Sequence, residues 1–270
     1  MNRKTLSSSI RLTEYRQLEE FANAFATGEL NLMIIIGRPG IAKSETIRST
    51  IPDACWIEGT ATAFGMYGEL YRHRNAPVCI DDVDALHSDK ACVRLLKSLC
   101  QTRRTKNLHW LTNAAEQNGL PTSFETTSSV CIIANEWSTP NENVEALIDR
   151  GHLLYFDPSP LEVHKKVSEW FQDDEIYDWF GKHLGYFDDL TMRSYVKAKE
   201  LKRAGINWKD AAYQVHSQIP ENARLLIELL EDPKFACEAA RVAAFQRKTG
   251  ASRATYFNTK KRIKGLVMSE

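Results

Sequence analysis

Residues 34–44 read IIIGRPGIAKS. An apolar, β-branched run ends at Gly37, and Arg38, Pro39, Gly40, Ile41, Ala42, Lys43 and Ser44 follow. Glycines let a backbone curl until its N–H groups face an anion, and a helix that starts there adds its positive dipole end. The chemistry this predicts is the binding of a nucleoside triphosphate. Lys43 would reach the β- and γ-phosphates, and Ser44 would hold a bridging Mg²⁺. Glu45 continues into the helix. The match to G-x-x-x-x-G-K-[ST] has one departure, Ala42 where glycine is usual. With Ala42 placed in the first helical turn, where φ is negative, alanine is expected to be tolerated. A plain glycine turn with a surface lysine is the alternative, and the strand–turn–helix context argues against it.

Further along, Val78-Cys79-Ile80 is a short apolar strand that ends in Asp81-Asp82, followed by Val83-Asp84. A strand that delivers a carboxylate to its tip suits Mg²⁺ coordination, so Asp81 is expected on the metal side. Asp82 stands where a general base would orient the attacking water, one methylene shorter than a glutamate. Solvated aspartates at a strand end would look the same in isolation. Another strand, Val130–Ala134, ends in Asn135, whose amide would position that water and sense the γ-phosphate; a turn-initiating asparagine is the plain alternative. Arg150, in Ala146-Leu-Ile-Asp-Arg-Gly151, lies too far along the fold to serve its own nucleotide. It is placed to reach the site of an adjacent subunit, or else forms a weak surface pair with Asp149. Arg193, in a later helix, is a candidate γ-phosphate contact, or a solvated arginine.

The elements that must hold these residues alternate. Strands are predicted at Leu32–Ile36, Cys55–Glu58, Val78–Asp81, Val130–Ala134 and Leu153–Phe156. Each is apolar enough to be buried on both faces, which predicts a parallel sheet with helices outside. Helices are predicted at 12–26, 44–50, 66–73, 89–101 and 144–148. After Pro158 and Pro160 strands give way to helices at 161–171, 175–183, 192–204, 208–218 and 222–231. The segments 59–73 and 101–127 are long enough for pore or DNA-contacting loops, the second carrying Arg103, Arg104 and Lys106.

The tail is basic. From Arg241 on there are eight Lys/Arg and one Glu, which leaves 27 Lys/Arg against 34 Asp/Glu before it. A basic tail on an acidic body suggests a polyanion-binding segment. An amphipathic helix containing Ala240, Val242, Ala243 and Phe245 is followed by a break at Thr249-Gly250-Ala251. Ser252 caps a second helix from Arg253. Two helices joined by a glycine turn look like a helix-turn-helix. Arg253, Thr255 and Asn258 are candidates to face bases, and Lys260, Lys261, Arg262 and Lys264 to contact phosphates. A helix that docks on a neighbouring subunit is the alternative.

Taken in order, these motifs resemble the AAA+ ATPases over about residues 10–215. Gly37–Ser44 looks like their Walker A, Ile80–Asp82 their Walker B, Asn135 their sensor 1, Arg150 their arginine finger and Arg193 their sensor 2. The resemblance implies an α/β fold: a three-layer parallel-sheet core with strand order 5-1-4-3-2, then an all-helical lid and a small helical C-terminal domain. The corresponding divisions are 1–158, 159–231 and 232–270. It also implies ATP and Mg²⁺ as ligands, hydrolysis of ATP, and a homo-oligomeric ring or filament in which one protomer completes the next one's site.

The 270 residues contain no apolar run near the ~20 needed to cross a bilayer and no N-terminal signal pattern, so a cytoplasmic protein without a membrane partner is expected. The six cysteines show no C-x-x-C spacing and the seven histidines no H-x-x-x-H pair, so reduced thiols are expected and no metal beyond the nucleotide's. Two functions fit. One is an ATP-dependent switch or loader that assembles on double-stranded DNA for a partner such as a transposase or helicase. The other is a nucleotide-gated interaction module with slow or no hydrolysis, its tail binding protein. A small-molecule kinase gives no joint role to Asn135, Arg150 and the helical segment.

Overall fold

The structure is a computed structural model and describes residues 8–59, 61–82, 89–135, 147–216 and 219–267. Val83, Asp84 and Ala146, and most of the helix expected at 144–148, lie outside the described residues, as does the Lys264 side chain. The chain divides after Ser159 into two units.

The first unit is an α/β layer structure. Its elements are β1 (Ile10–Leu12), α1 (Tyr15–Ala26), β2 (Leu32–Ile36), α2 (Lys43–Thr50), β3 (Cys55–Glu58), α3 (Ala63–Arg72), β4 (Val78–Asp81), α4 (Lys90–Leu99), β5 (Lys106–His109), α5 (Asn113–Gln117), β6 (Ser123–Thr126), β7 (Val130–Ala134) and β8 (His152–Phe156). Six strands form one parallel sheet in the order β1-β8-β2-β7-β4-β3. The five predicted strands therefore stand in the relative order 5-1-4-3-2, and β1 extends the sheet beyond β8. β2 and β7 lie between parallel neighbours, and every residue of both is buried. That is why their sequences, LMIII and VCIIA, show no alternation. The edge strand β3 alternates instead. One core cluster joins residues of β2, β3, β4 and β7 to α3 and α4. Asp89 starts α4 by accepting the Ala91 N–H at 2.7 Å, which leaves the following amphipathic turns to bury Cys92, Val93, Leu95, Leu96 and Leu99.

Two expectations are corrected. The first helix begins at Tyr15 rather than Leu12, because Ile10–Leu12 pairs with Leu154–Phe156 and a capping box between Glu14 and Gln17 sets the helix start. The segment 101–127 is not a loop. β5 and β6 pair antiparallel, with α5 between them. Lys106 is buried, its ammonium donates to the Ser128 carbonyl, and burial lowers its pKa, so it offers no exposed charge. Most of 59–73 is likewise α3.

The second unit is all helical: α6 (Pro160–Val167), α7 (Asp174–Lys182), a 3-10 turn (Leu184–Tyr186), α8 (Met192–Arg203), α9 (Trp208–His216), α10 (Glu221–Glu231), α11 (Glu238–Thr249) and α12 (Arg253–Val267). Trp179, Phe180, Phe187, Trp208 and Tyr213 pack ring against ring around α7 and α9. A second cluster unites Ala223, Leu226, Ile227 and Leu229 of α10 with Val242, Phe245, Tyr256 and Ile263. The expected division at 231/232 thus runs between helices that share one core.

Candidate functional site

Lys43, Ser44, Asp81, Asp82 and Asn135 gather at the carboxyl ends of β2, β4 and β7. These strands lie side by side, Ile36 opposite Ala134 and Asp81 opposite Ile133. The loop after Ile36 is held from three directions. Gly37 donates its N–H to the Ala134 carbonyl at 3.4 Å, Arg38 donates to the Pro158 carbonyl at 2.9 Å, and Tyr15 donates its hydroxyl to the Ile41 carbonyl at 2.9 Å. Gly37 is obligatory for a steric reason: a Cβ there would run into the carbonyl oxygen of Phe156. Gly40 has φ +79°.

Ala42 departs from expectation. Its φ is +57° and its ψ +32°, the left-handed region, and it stands as the N-cap of α2 rather than inside the first turn. The negative φ on which its tolerance was predicted is therefore wrong. A non-glycine residue is strained there because its Cβ crowds the following carbonyl. The helix nevertheless starts cleanly, with Thr46 giving both its N–H (3.0 Å) and its hydroxyl (2.8 Å) to the Ala42 carbonyl.

Lys43 is only 6% exposed. Its ammonium donates to the Gly37 carbonyl (2.7 Å), the Arg38 carbonyl (3.0 Å) and Asn135 Oδ1 (3.1 Å). Asn135 then gives its Nδ2 to both carboxylate oxygens of Asp82, at 3.2 and 3.0 Å. A continuous polar chain thus runs Lys43–Asn135–Asp82 across three strand ends. Asp82 has φ +46°, a conformation that aspartate visits more readily than longer side chains. Beside this chain Ser44, at the start of α2, lies close enough to Asp81 to act on its carboxyl. Burial raises the Asp81 pKa, Asp82 and Glu58 add to that, and Ser44 and Lys43 act in the opposite sense. A hydroxyl and a carboxylate side by side offer oxygen donors of the kind a hard divalent cation takes. Among the described residues no group of three or more His, Cys, Asp or Glu side chains could hold a metal ion by itself, so the remaining ligands would be water and phosphate. Pro39 and Glu45 are exposed and Arg38 is half-buried.

Arg150 sits elsewhere. Met33 pairs with His152 and Ile36 with Tyr155, so Arg150 lies before the start of β8, at the end of the sheet opposite the phosphate loop. Four strand residues separate those ends by about 13 Å. Its guanidinium donates to the Lys97 carbonyl in the last turn of α4 at 2.9 Å. Arg193 belongs to the second unit, exposed in the first turn of α8.

In the tail, Gly250 has φ +69° and closes α11, and Ser252 accepts the Thr255 N–H at 3.1 Å to start α12. Arg253, Asn258, Lys261 and Arg262 are exposed. Thr255 bonds to the Ser252 hydroxyl, and Lys260 is committed to both oxygens of Glu238 at 2.6 and 2.7 Å. That ion pair makes Lys260 part of the joint between α11 and α12 rather than a free phosphate contact. Tyr256 is buried edge-on to Phe245, centroids 5.5 Å apart. Phe257 is exposed under Arg253.

Sequence reasoning missed Tyr15, Phe156 and the Pro158 carbonyl as supports of the loop. Nothing in their local sequence marks them, because the contacts span 26 residues or more. All five cysteines at 55, 79, 92, 100 and 131 are buried free thiols, and Cys237 is exposed. Among the described residues no helix is long and apolar enough to cross a membrane.

No protein-family model matches this sequence. No curated protein matches it either. Among solved structures, the chain is similar to domain III of the replication initiation protein DnaA from Thermotoga maritima, with 13% identity and a TM-score of 0.44, over 76% of this chain and 91% of that one. It is similar to a DNA replication initiation factor with 12% identity and a TM-score of 0.44, over 90% and 81%. A STAND signal transduction ATPase with a tetratricopeptide repeat sensor from Pyrococcus horikoshii has 15% identity and a TM-score of 0.35; this chain covers 35% of its length and 82% of itself is matched.

Proposed function

We propose that this protein is a Mg²⁺-dependent ATP-binding and ATP-hydrolysing switch of the AAA+ kind. The observation that carries the reading is the chain Lys43–Asn135–Asp82, with Asp81 at the tip of the strand beside it, at adjacent parallel strand ends. Lys43 and the N–H groups of the 37–44 loop bind phosphate oxygens. Ser44 and Asp81 would hold the cation, which would supply charge neutralisation to the phosphates. Asn135 links the γ-phosphate position to Asp82, which takes up a proton from the attacking water. Arg150 acts in trans on a neighbouring protomer's nucleotide, since about 13 Å of strand separates it from its own loop.

The oligomer assembles on double-stranded DNA through the exposed face of α12, and ATP turnover loads or releases a DNA-transaction partner of the transposase or helicase kind. The basic exposed residues Arg253, Lys261 and Arg262 support this part. A second reading keeps nucleotide binding without rapid turnover, with the tail holding a protein. It is favoured by Asp82, whose two oxygens are both engaged by Asn135.

Titration calorimetry with Mg-ATP, then steady-state turnover with and without duplex DNA, tests the proposal. Binding that Lys43→Ala abolishes, and turnover that DNA stimulates several-fold, are expected. No heat on folded protein removes the proposal. Binding without turnover, unchanged by DNA, selects the second reading.

A further inference from the structure

We propose that Tyr15 is a positioning residue for the phosphate loop, acting by blocking a flip of the Ile41–Ala42 peptide. The inference rests on the ATP-binding reading above and extends it to a residue outside the motif. Tyr15 is 5% exposed, Ile41 is fully buried, and the hydrogen bond between the hydroxyl and the Ile41 carbonyl spans 2.9 Å. Water has no access to that carbonyl, so the tyrosine is its means of satisfaction there.

A trans peptide is planar, with its C=O and N–H pointing opposite ways. Holding the Ile41 carbonyl toward Tyr15 therefore directs the Ala42 N–H away from the core. An anion cradle needs N–H groups, and a carbonyl in the same place would repel phosphate. Rotating this one plane by half a turn exchanges the two. It also takes φ of Ala42 from +57° to a value of about −120°, out of the left-handed region in which a Cβ is crowded. With glycine at this position the two orientations would be nearly equal in backbone energy. With alanine the flipped form is the relaxed one. The hydroxyl of Tyr15 opposes that bias.

The tyrosine is itself held. Leu12 accepts the Asp157 N–H at 2.9 Å, Arg11 pairs with the Asp157 carboxylate at 3.0 Å, and the Tyr15 ring meets Phe156 edge-on with centroids 5.1 Å apart. The Phe156 carbonyl in turn abuts Gly37, at the other end of the loop. The short strand β1 thus fixes the group that orients the middle of the loop.

The test is a double-mutant cycle on the full chain. Tyr15→Phe retains the ring against Phe156 and removes the donor. Its Mg-ATP affinity is expected to fall about tenfold, and Ala42→Gly in the same chain is expected to restore most of it. Ala42→Gly alone is the fourth corner of the cycle, and the loss caused by Tyr15→Phe should be several-fold smaller in its background than in the parent. Amide hydrogen exchange of residues 38–43, measured without added nucleotide, should quicken in Tyr15→Phe and slow again in the double variant. A support that is merely structural would lower the melting temperature without touching affinity and would show no rescue. Unchanged affinity in folded Tyr15→Phe, or a loss that Ala42→Gly leaves in place, overturns the proposal. If the unmutated protein binds no Mg-ATP, the functional reading fails, and the exchange rates alone decide the flip.

Discussion

Ala42→Gly is the substitution whose sign separates two accounts of the phosphate loop. If Ala42 were an ordinary first-turn helical residue, glycine would cost about 1 kcal/mol through its poorer helix propensity. The structure gives φ +57° and ψ +32° instead. Relief of left-handed strain at a non-glycine residue is worth about 1–2 kcal/mol. Glycine's extra freedom in the unfolded chain returns about 0.4–1 kcal/mol of that. Glycine is also preferred over alanine at an N-cap. The net expectation is a gain of about 0.5–1 kcal/mol, or about 2 °C in the melting of a unit of this size. Urea titration would follow it as a higher midpoint at unchanged slope. Ala42→Val is the control, because a β-branched residue at positive φ is worse than alanine and should lower the midpoint. A destabilised Ala42→Gly, or a Val variant as stable as the parent, refutes the left-handed assignment.

Other perturbations have equally definite outcomes. Burial raises the Asp81 pKa, so its carboxylate is protonated at a higher pH than an ordinary aspartate; Mg²⁺ dependence of nucleotide binding should fade as pH drops through that raised value, and Asp81→Asn should remove the pH effect along with the metal dependence. Arg150→Ala should bind ATP yet turn it over slowly, and mixing it with Asp82→Asn should recover part of the activity; no recovery refutes action in trans. Glu238→Gln frees Lys260 from its ion pair, so duplex DNA affinity should rise and its log–log salt slope steepen by about one, read by fluorescence anisotropy. Lys261→Ala with Arg262→Ala should do the reverse, and unaltered affinity would remove α12 from DNA contact.

What the amino-acid order disclosed, and what it concealed, follows from how each element is stabilised. β2, β4 and β7 are short apolar runs, and burial on both faces leaves that mark directly in sequence. Lys43, Ser44, Asp81 and Asn135 were legible because strand ends fix them within a few residues of such runs. β1 was not, since IRL owes its pairing to β8, more than 140 residues away. The β5–β6 hairpin was hidden because KNLH and SFET are four-residue polar mixtures in which a buried lysine looks like a solvated one. The sign of φ at Ala42 was hidden as well: it is set by tertiary contacts to the loop, and alanine is the residue least informative about backbone angle.

The shared core of the last three helices has a mechanical corollary. Phe245 and Tyr256 seat against Leu226 and its neighbours, so α10, α11 and α12 transmit load as one stiff block. Whatever grips the outer face of α12 drags α10 with it. Truncating the chain after Glu231 would strip that block of half its packing and leave a sticky apolar stripe, so point substitutions on the outer face, not shortened chains, can isolate what the tail holds.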